Sequence, residues 1–179
     1  MAGDEEAGTV SDFLDRLAAR TPTPAGGSVA ALCTAQAAAL VAMVARYCDS
    51  PALVEQAERL VDQAQELVAD DEAAFRLVAD AWAIPRGEGS HDERRAAIGE
   101  ALLGASEPQA RVVETAIEVL VLIDRLRPSA RPGLRSDLVA AGEVARAASA
   151  IARMNVESNL RTVPDSEDRS ALLRRMGMA

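Results

Sequence analysis

The stretch GSVAALCTAQAAALVAMVARY, Gly27 to Tyr47, decides the fold. It is rich in alanine, and from Val29 to Ala45 it carries no charge. A spanning helix needs about 20 strongly apolar residues, whereas this run is diluted by alanine, Thr34 and Gln36. It reads as the buried core helix of a bundle. Ala31, Ala35, Ala38 and Ala42 form a small-residue stripe at helical spacing, along which a second helix can approach closely. The stripe serves equally inside one subunit or between two.

Working outward, the same character holds. Hydrophobic residues make up 49% of the 179, yet aromatics only 2%, and β-branched and aromatic strand formers are sparse. The class is all-α, a single-domain antiparallel bundle of six main helices plus a short C-terminal one. The acidic start, residues 1–10, reads as a disordered tail, and residues 11–179 as the helical domain.

Apolar periodicity and caps place the elements. The first helix runs from about Ser11, as N-cap, to Arg20, and stops before Pro22. The second runs from Gly27 to Tyr47. Ser50-Pro51 opens a long third helix reaching Ala83. Ser90-His91-Asp92-Glu93 reads as a capping box for the fourth, and Ser106-Glu107-Pro108-Gln109 repeats that logic for the fifth, which runs to Arg127. Ser136-Asp137 caps a sixth helix extending to Arg161. A seventh, Ser166 to Met176, presents Leu172, Leu173 and Met176.

Composition excludes several chemistries. Net charge is −9, and all 19 basic residues are arginine. Nucleic-acid binding lacks its basic stripe and stacking platforms. Without lysine there is no Schiff-base nucleophile, pyridoxal anchor or P-loop lysine. His91 with Cys33 and Cys48 cannot assemble the usual zinc sets, so no metal site is expected. The two cysteines fall on one helix, roughly 22 Å apart, too far to pair. Free thiols without an apolar leader point to the cytoplasm.

Asp71 is the most informative polar residue. It interrupts the third helix's apolar stripe between Val68 and Phe75, while Asp70 points away. A buried carboxylate needs a partner or a raised pKa, and a raised pKa suits a general acid/base. An arginine partner or a wet groove would account for it equally. On the sixth helix, Asp137 and Asn155 align on one face, with Asn159 one turn further. These amides could bind a polar ring, cross-link helices or hold water. Arg86, Arg94, Arg95 and Arg135 sit at helix ends and loops, where arginines can grip an anion.

Taken together, four stretches resemble the formiminotetrahydrofolate cyclodeaminase / methenyltetrahydrofolate cyclohydrolase family. They are FLDRLAARTPTPAGGSVAAL (Phe13 to Leu32), DEAAF (Asp71 to Phe75) followed by IPR, RSDL (Arg135 to Leu138) and NVESNL (Asn155 to Leu160). Ala25 stands where the family has the first of three glycines, Arg86 where it has lysine, and SEPQ where an apolar Val-Pro-Leu is common.

The resemblance implies a helical, homodimeric enzyme acting on a tetrahydrofolate derivative, with no metal or redox cofactor and no membrane. Cyclodeamination of 5-formiminotetrahydrofolate to 5,10-methenyltetrahydrofolate and ammonia is the first reading. Cyclohydrolysis of the methenyl compound is the alternative, as is a non-catalytic folate- or partner-binding module. In this reading Asp71 is the acid/base. Gly26, Gly27, Ser28, Arg86, Arg94, Arg135, Asp137, Asn155 and Asn159 line the substrate site, arginines offsetting the glutamate or polyglutamate carboxylates.

Overall fold

A computed structural model describes residues 9–86 and 91–178. In chain order these form α1 (Val10–Ala18), α2 (Gly26–Tyr47), α3 (Pro51–Ala83), α4 (His91–Gly104), α5 (Ser106–Leu126), a 3-10 turn (Pro132–Leu134), α6 (Arg135–Leu160) and α7 (Glu167–Arg175). No strand occurs among the described residues, as the composition led us to expect. Most of the acidic N-terminal segment and the Ser90 end of the expected capping box fall outside them.

Polar contacts fix the helix directions. Ser28, at the start of α2, meets Asp71, late in α3. Along α3 and α5, Gln56 meets Arg125, Gln63 meets Thr115 and Asp70 meets Arg111, so one partner's number rises as the other falls. Asn155, late in α6, reaches Gln109, early in α5. Thus α2 and α5 run one way, and α3 and α6 the other.

The core forms where α2 meets its neighbours. Val41, Val44, Val119 and Leu126 are fully enclosed, and burial of each such side chain stabilises by about 1.5–3 kcal/mol. Ala31, Ala35, Ala38 and Ala42 are 0–5% exposed within this one chain, so the small-residue stripe is an internal seam. Length and apolar composition alone would let α2 cross a membrane; here it packs against α3, α5 and α6.

Several caps differ from the sequence expectation. α1 begins one residue before Ser11, because Thr9 forms a reciprocal capping box with Asp12. Position 14, three beyond Ser11, is leucine and offers no such return bond. Ser106 does not cap α5. Ala105 is itself helical, and the buried Ser106 hydroxyl donates to the Leu102 carbonyl at 2.9 Å. α6 follows directly from the 3-10 turn, with Leu134 at the cap position. Asp137 therefore sits in the first helical turn, where a negative charge favours the helix dipole. Ser166 does cap α7, accepting from the Arg169 N–H at 3.1 Å, and Leu172 and Met176 are buried.

Candidate active site

The site grows from the missing side chain at Gly27. A Cβ there would lie 2.5 Å from Asp71 Cγ and would overlap the Asp71 carboxylate and the Gln109 amide. Only glycine lets α2, α3 and α5 converge at this point. Gly26 differs: a Cβ there would meet Asn155 Oδ1 at 3.5 Å, an ordinary contact.

Asp71 occupies the convergence. The Ser28 hydroxyl donates to its Oδ2 at 2.9 Å, and Gln109 Nε2 donates to its Oδ1 at 2.6 Å. Burial pushes the Asp71 pKa above the usual carboxylate value. The Ser28 hydroxyl, the Gln109 amide and the Ser28 backbone N–H pull it back in part, and the Glu72 charge adds to the rise. Ala25, at the cap position of α2, makes no side-chain capping bond. Asp71 supplies the negative charge at that helix N-terminus from a different helix.

Beyond Asp71 the polar chain continues. Gln109 is 1% exposed, and its Oε1 accepts from Asn155 Nδ2 at 3.3 Å. Asp71, Gln109, Asn155 and Asn159 line a cavity of about 540 Å³. Phe75 and Trp82 form an aromatic wall, their rings edge to face at 6.0 Å and 83°. Ile98 and Leu102 of α4 add an apolar wall, and Thr23, Ala25 and Gly26 close the α2 end. A few convergent polar groups in an apolar cleft of this size suit a planar, hydrogen-bonding small molecule. Among the described residues, no cluster of three or more His, Cys, Asp or Glu side chains could hold a metal.

The structure gathers Gly26, Gly27, Asp71, Asn155 and Asn159 around this cavity, with Ser28 bound to Asp71 behind it. Other candidates lie elsewhere. Asp137 shares a helix face with Asn155, but five turns of helix separate them by roughly 27 Å. Arg135 lines a different cavity, of about 710 Å³, between α5 and α6. Arg94 is occupied at the end of α3: Nε donates to the Ile84 carbonyl at 2.8 Å and Nη2 to that of Trp82 at 2.9 Å. Arg86 is exposed just past α3, outside the cavity lining. Asp70 pairs with Arg111 at 2.8 Å, pointing away from Asp71's partners.

The sequence placed Gln109 in a capping box and Phe75 on the apolar stripe of the third helix, and pointed to neither of them, nor to Trp82, as part of the site. The signal for Gln109 was present. It falls in register with Val112, Val113, Ala116 and Val119, all 0% exposed, so a polar side chain interrupts a buried stripe just as Asp71 does.

With this geometry in place, the chain's relatives bear on it. A family model described as formiminotransferase-cyclodeaminase matches residues 9–177. A methenyltetrahydrofolate cyclohydrolase of Methylorubrum extorquens is 32% identical over 177 residues, spanning 92% of this chain and 84% of the relative. A crystal structure of formiminotetrahydrofolate cyclodeaminase from Thermotoga maritima shares the fold. It has a TM-score of 0.85 at 24% identity and covers 96% of this chain and 88% of that one. A match along nearly the whole length, with a relative at this identity, shows that the chain belongs to the formiminotransferase-cyclodeaminase family.

Proposed function

We propose that the protein is a folate one-carbon enzyme in which Asp71 moves protons at the carbon bridging N5 and N10. The observation that carries this is the half-buried Asp71 carboxylate, raised in pKa and held by Ser28 and Gln109 at the edge of the aromatic-walled cavity. A carboxylate whose pKa is raised by burial is a better base than a free one, and it suits this chemistry.

We place cyclohydrolysis of 5,10-methenyltetrahydrofolate first, supported by the Methylorubrum cyclohydrolase to which the chain is 32% identical. Water attacks the bridging carbon while Asp71 takes one of its protons. Asp71 then returns that proton to N5 as the carbon–N5 bond breaks. The hydroxyl proton leaves to solvent, and 10-formyltetrahydrofolate remains.

Cyclodeamination is the second reading, favoured by the motif resemblance at Phe13 to Leu32 and Asn155 to Leu160. N10 attacks the carbon of the protonated formimino group (=NH2+), and Asp71 carries the N10 proton to that nitrogen, which departs as ammonia and leaves the methenyl cation. Phe75 and Trp82 offer apolar faces to the pterin ring, and Asn155 and Asn159 offer amides to its polar edge. A homodimer belongs to the same reading. Ile117, Val121, Val139 and Met154, all exposed on α5 and α6, support it, and light scattering of the purified chain tests it.

The deciding assay follows methenyltetrahydrofolate by its near-ultraviolet absorption, with each folate supplied in turn. Enzyme-dependent loss of absorbance assigns hydrolysis, and its appearance from the formimino compound assigns deamination. Turnover of neither rejects both, and calorimetric binding without turnover would leave a folate-binding module. Asp71→Asn should abolish turnover with helicity intact; an active variant removes Asp71 from the mechanism.

A further inference from the structure

We propose that Gln109 is a positioning residue that couples the charge state of Asp71 to the hydrogen-bonding polarity Asn155 offers the cavity. The proposal deepens the folate reading and rests on it only for the identity of the ligand.

An amide donates from its NH2 and accepts at its carbonyl. Gln109 is 1% exposed, with Nε2 2.6 Å from Asp71 Oδ1 and Oε1 3.3 Å from Asn155 Nδ2. An ionised carboxylate only accepts, so Gln109 must present its NH2 to Asp71. Its carbonyl then faces Asn155, which must answer with its own NH2. Asn155 Oδ1 is left as an acceptor beside Gly26, 3.5 Å from where a Cβ on that glycine would stand. No hydrogen bond among the described residues engages that oxygen.

A ligand group against Asn155 Oδ1 is therefore a donor, an N–H or O–H, while Asp71 is charged. Protonation of Asp71 reverses the chain. The carboxyl then donates to the Gln109 carbonyl, Gln109 donates to Asn155, and Asn155 turns its NH2 towards the cavity. Substrate bearing a donor at this place thus favours the ionised, base form of Asp71.

Little else charged competes for control. On α3 itself, Glu72 is paired with Arg16 of α1 at 3.5 Å, and Asp70 with Arg111 of α5 at 2.8 Å. The groups facing Asp71 or lining its cavity from the other helices include Gly27 and Ser28 of α2, Ile98 and Leu102 of α4, Gln109 of α5, and Asn155, Ser158 and Asn159 of α6. None of them ionises.

The test is a pH titration by NMR of the full chain, reading the Asp71 carboxyl carbon and the Asn155 side-chain amide, with kcat/KM measured alongside. In the unmodified protein the Asn155 amide should follow the Asp71 midpoint. Gln109→Met keeps the length and removes both polar ends. The charged form of Asp71 then loses a donor, so its midpoint should rise by about one unit or more. The acid limb of kcat/KM should move with it, a loss of about tenfold at pH values below both limbs. Asn155 should no longer follow Asp71.

An Asp71 midpoint unmoved by Gln109→Met, or an Asn155 amide that still tracks it, overturns the proposal. If that variant does not fold, Gln109→Glu decides. A second carboxyl against Asp71 should split its titration into two steps, and a single unshifted step rejects the relay. The NMR signals also separate the two levels of inference. A moved midpoint in a protein that turns over neither folate keeps the relay and removes the folate reading. An unmoved midpoint in an active enzyme does the reverse.

Discussion

Adjacent glycines, Gly26 and Gly27, should respond very differently to the same added methyl. In Gly27→Ala the Cβ would stand 2.5 Å from Asp71 Cγ, about 1 Å inside ordinary carbon contact. Asp71 and Gln109 are both held by short hydrogen bonds and cannot both swing away. Overpacking of this kind costs about 1–3 kcal/mol. Displacing a carboxylate from a donor adds about 1.5–3 kcal/mol, and alanine's better helix propensity returns at most about 1 kcal/mol. The net expectation is destabilisation of about 1.5–5 kcal/mol together with loss of turnover. Gly26→Ala places its methyl 3.5 Å from Asn155 Oδ1 at an exposed position. Stability should change by less than about 1 kcal/mol, and the effect should fall on KM, where the methyl narrows the cavity. Urea unfolding followed by circular dichroism measures the first quantity, and methenyltetrahydrofolate absorbance the second. Equal unfolding midpoints for the two variants would refute the steric argument.

Other outcomes follow from the same geometry. The Asp71 pKa is raised in the folded protein, so between its usual value of 3.8 and the raised value the folded state holds a proton that the unfolded state has lost. Stability relative to Asp71→Asn should therefore fall as pH climbs through that window and level off above it; urea midpoints across pH check the sign, and a rising difference contradicts the burial. Arg94→Ala removes two bonds to the carbonyls ending α3 and should cost about 1–2 kcal/mol of stability. Its KM should be equal for mono- and polyglutamylated folate, and a KM penalty confined to the longer tail would restore Arg94 as a ligand residue. Asp49, in the turn between α2 and α3, has φ +51°. A β-branched side chain fits that region poorly, so Asp49→Val should destabilise by about 1–2 kcal/mol, while Asp49→Gly should not, as thermal melts will show.

Much of the fold was legible because its signals are local. α3 runs from Pro51 to Ala83 and α2 ends at Tyr47 as expected, and α2 starts at Gly26, one residue before the expected Gly27, since glycine, proline and the end of an apolar run act on their own neighbours. Local rules also misled. Ser106 to Gln109 has the spacing of a capping box, but both side chains are buried and bonded elsewhere. Nothing within four residues shows that Gln109 meets Asp71 from 38 positions away. Asp137 stands apart from the Asp71 cavity for the complementary reason. Helical periodicity reports the face a residue shares, and is silent about the five turns between two residues on it.

The capping of α2 shows why the site is costly to alter at some positions and free at others. A helix N-terminus ordinarily takes its acceptor from its own cap residue, and Ala25 has none to offer. Asp71 brings its charge to that end from α3, bonded to the Ser28 hydroxyl, so the group proposed to move protons also offsets a helix end. Ser28 and Gln109 share the double duty: each holds the carboxylate and each is buried between helices. Changes at Gly27, Ser28, Asp71 or Gln109 must therefore move stability and proton transfer together. Gly26, Asn155, Asn159 and Trp82 touch the cavity without touching the carboxylate. Variation in substrate should be found among these four. An exchange at Asn155 that alters folate preference while leaving the unfolding midpoint in place would show the two sets to be separable.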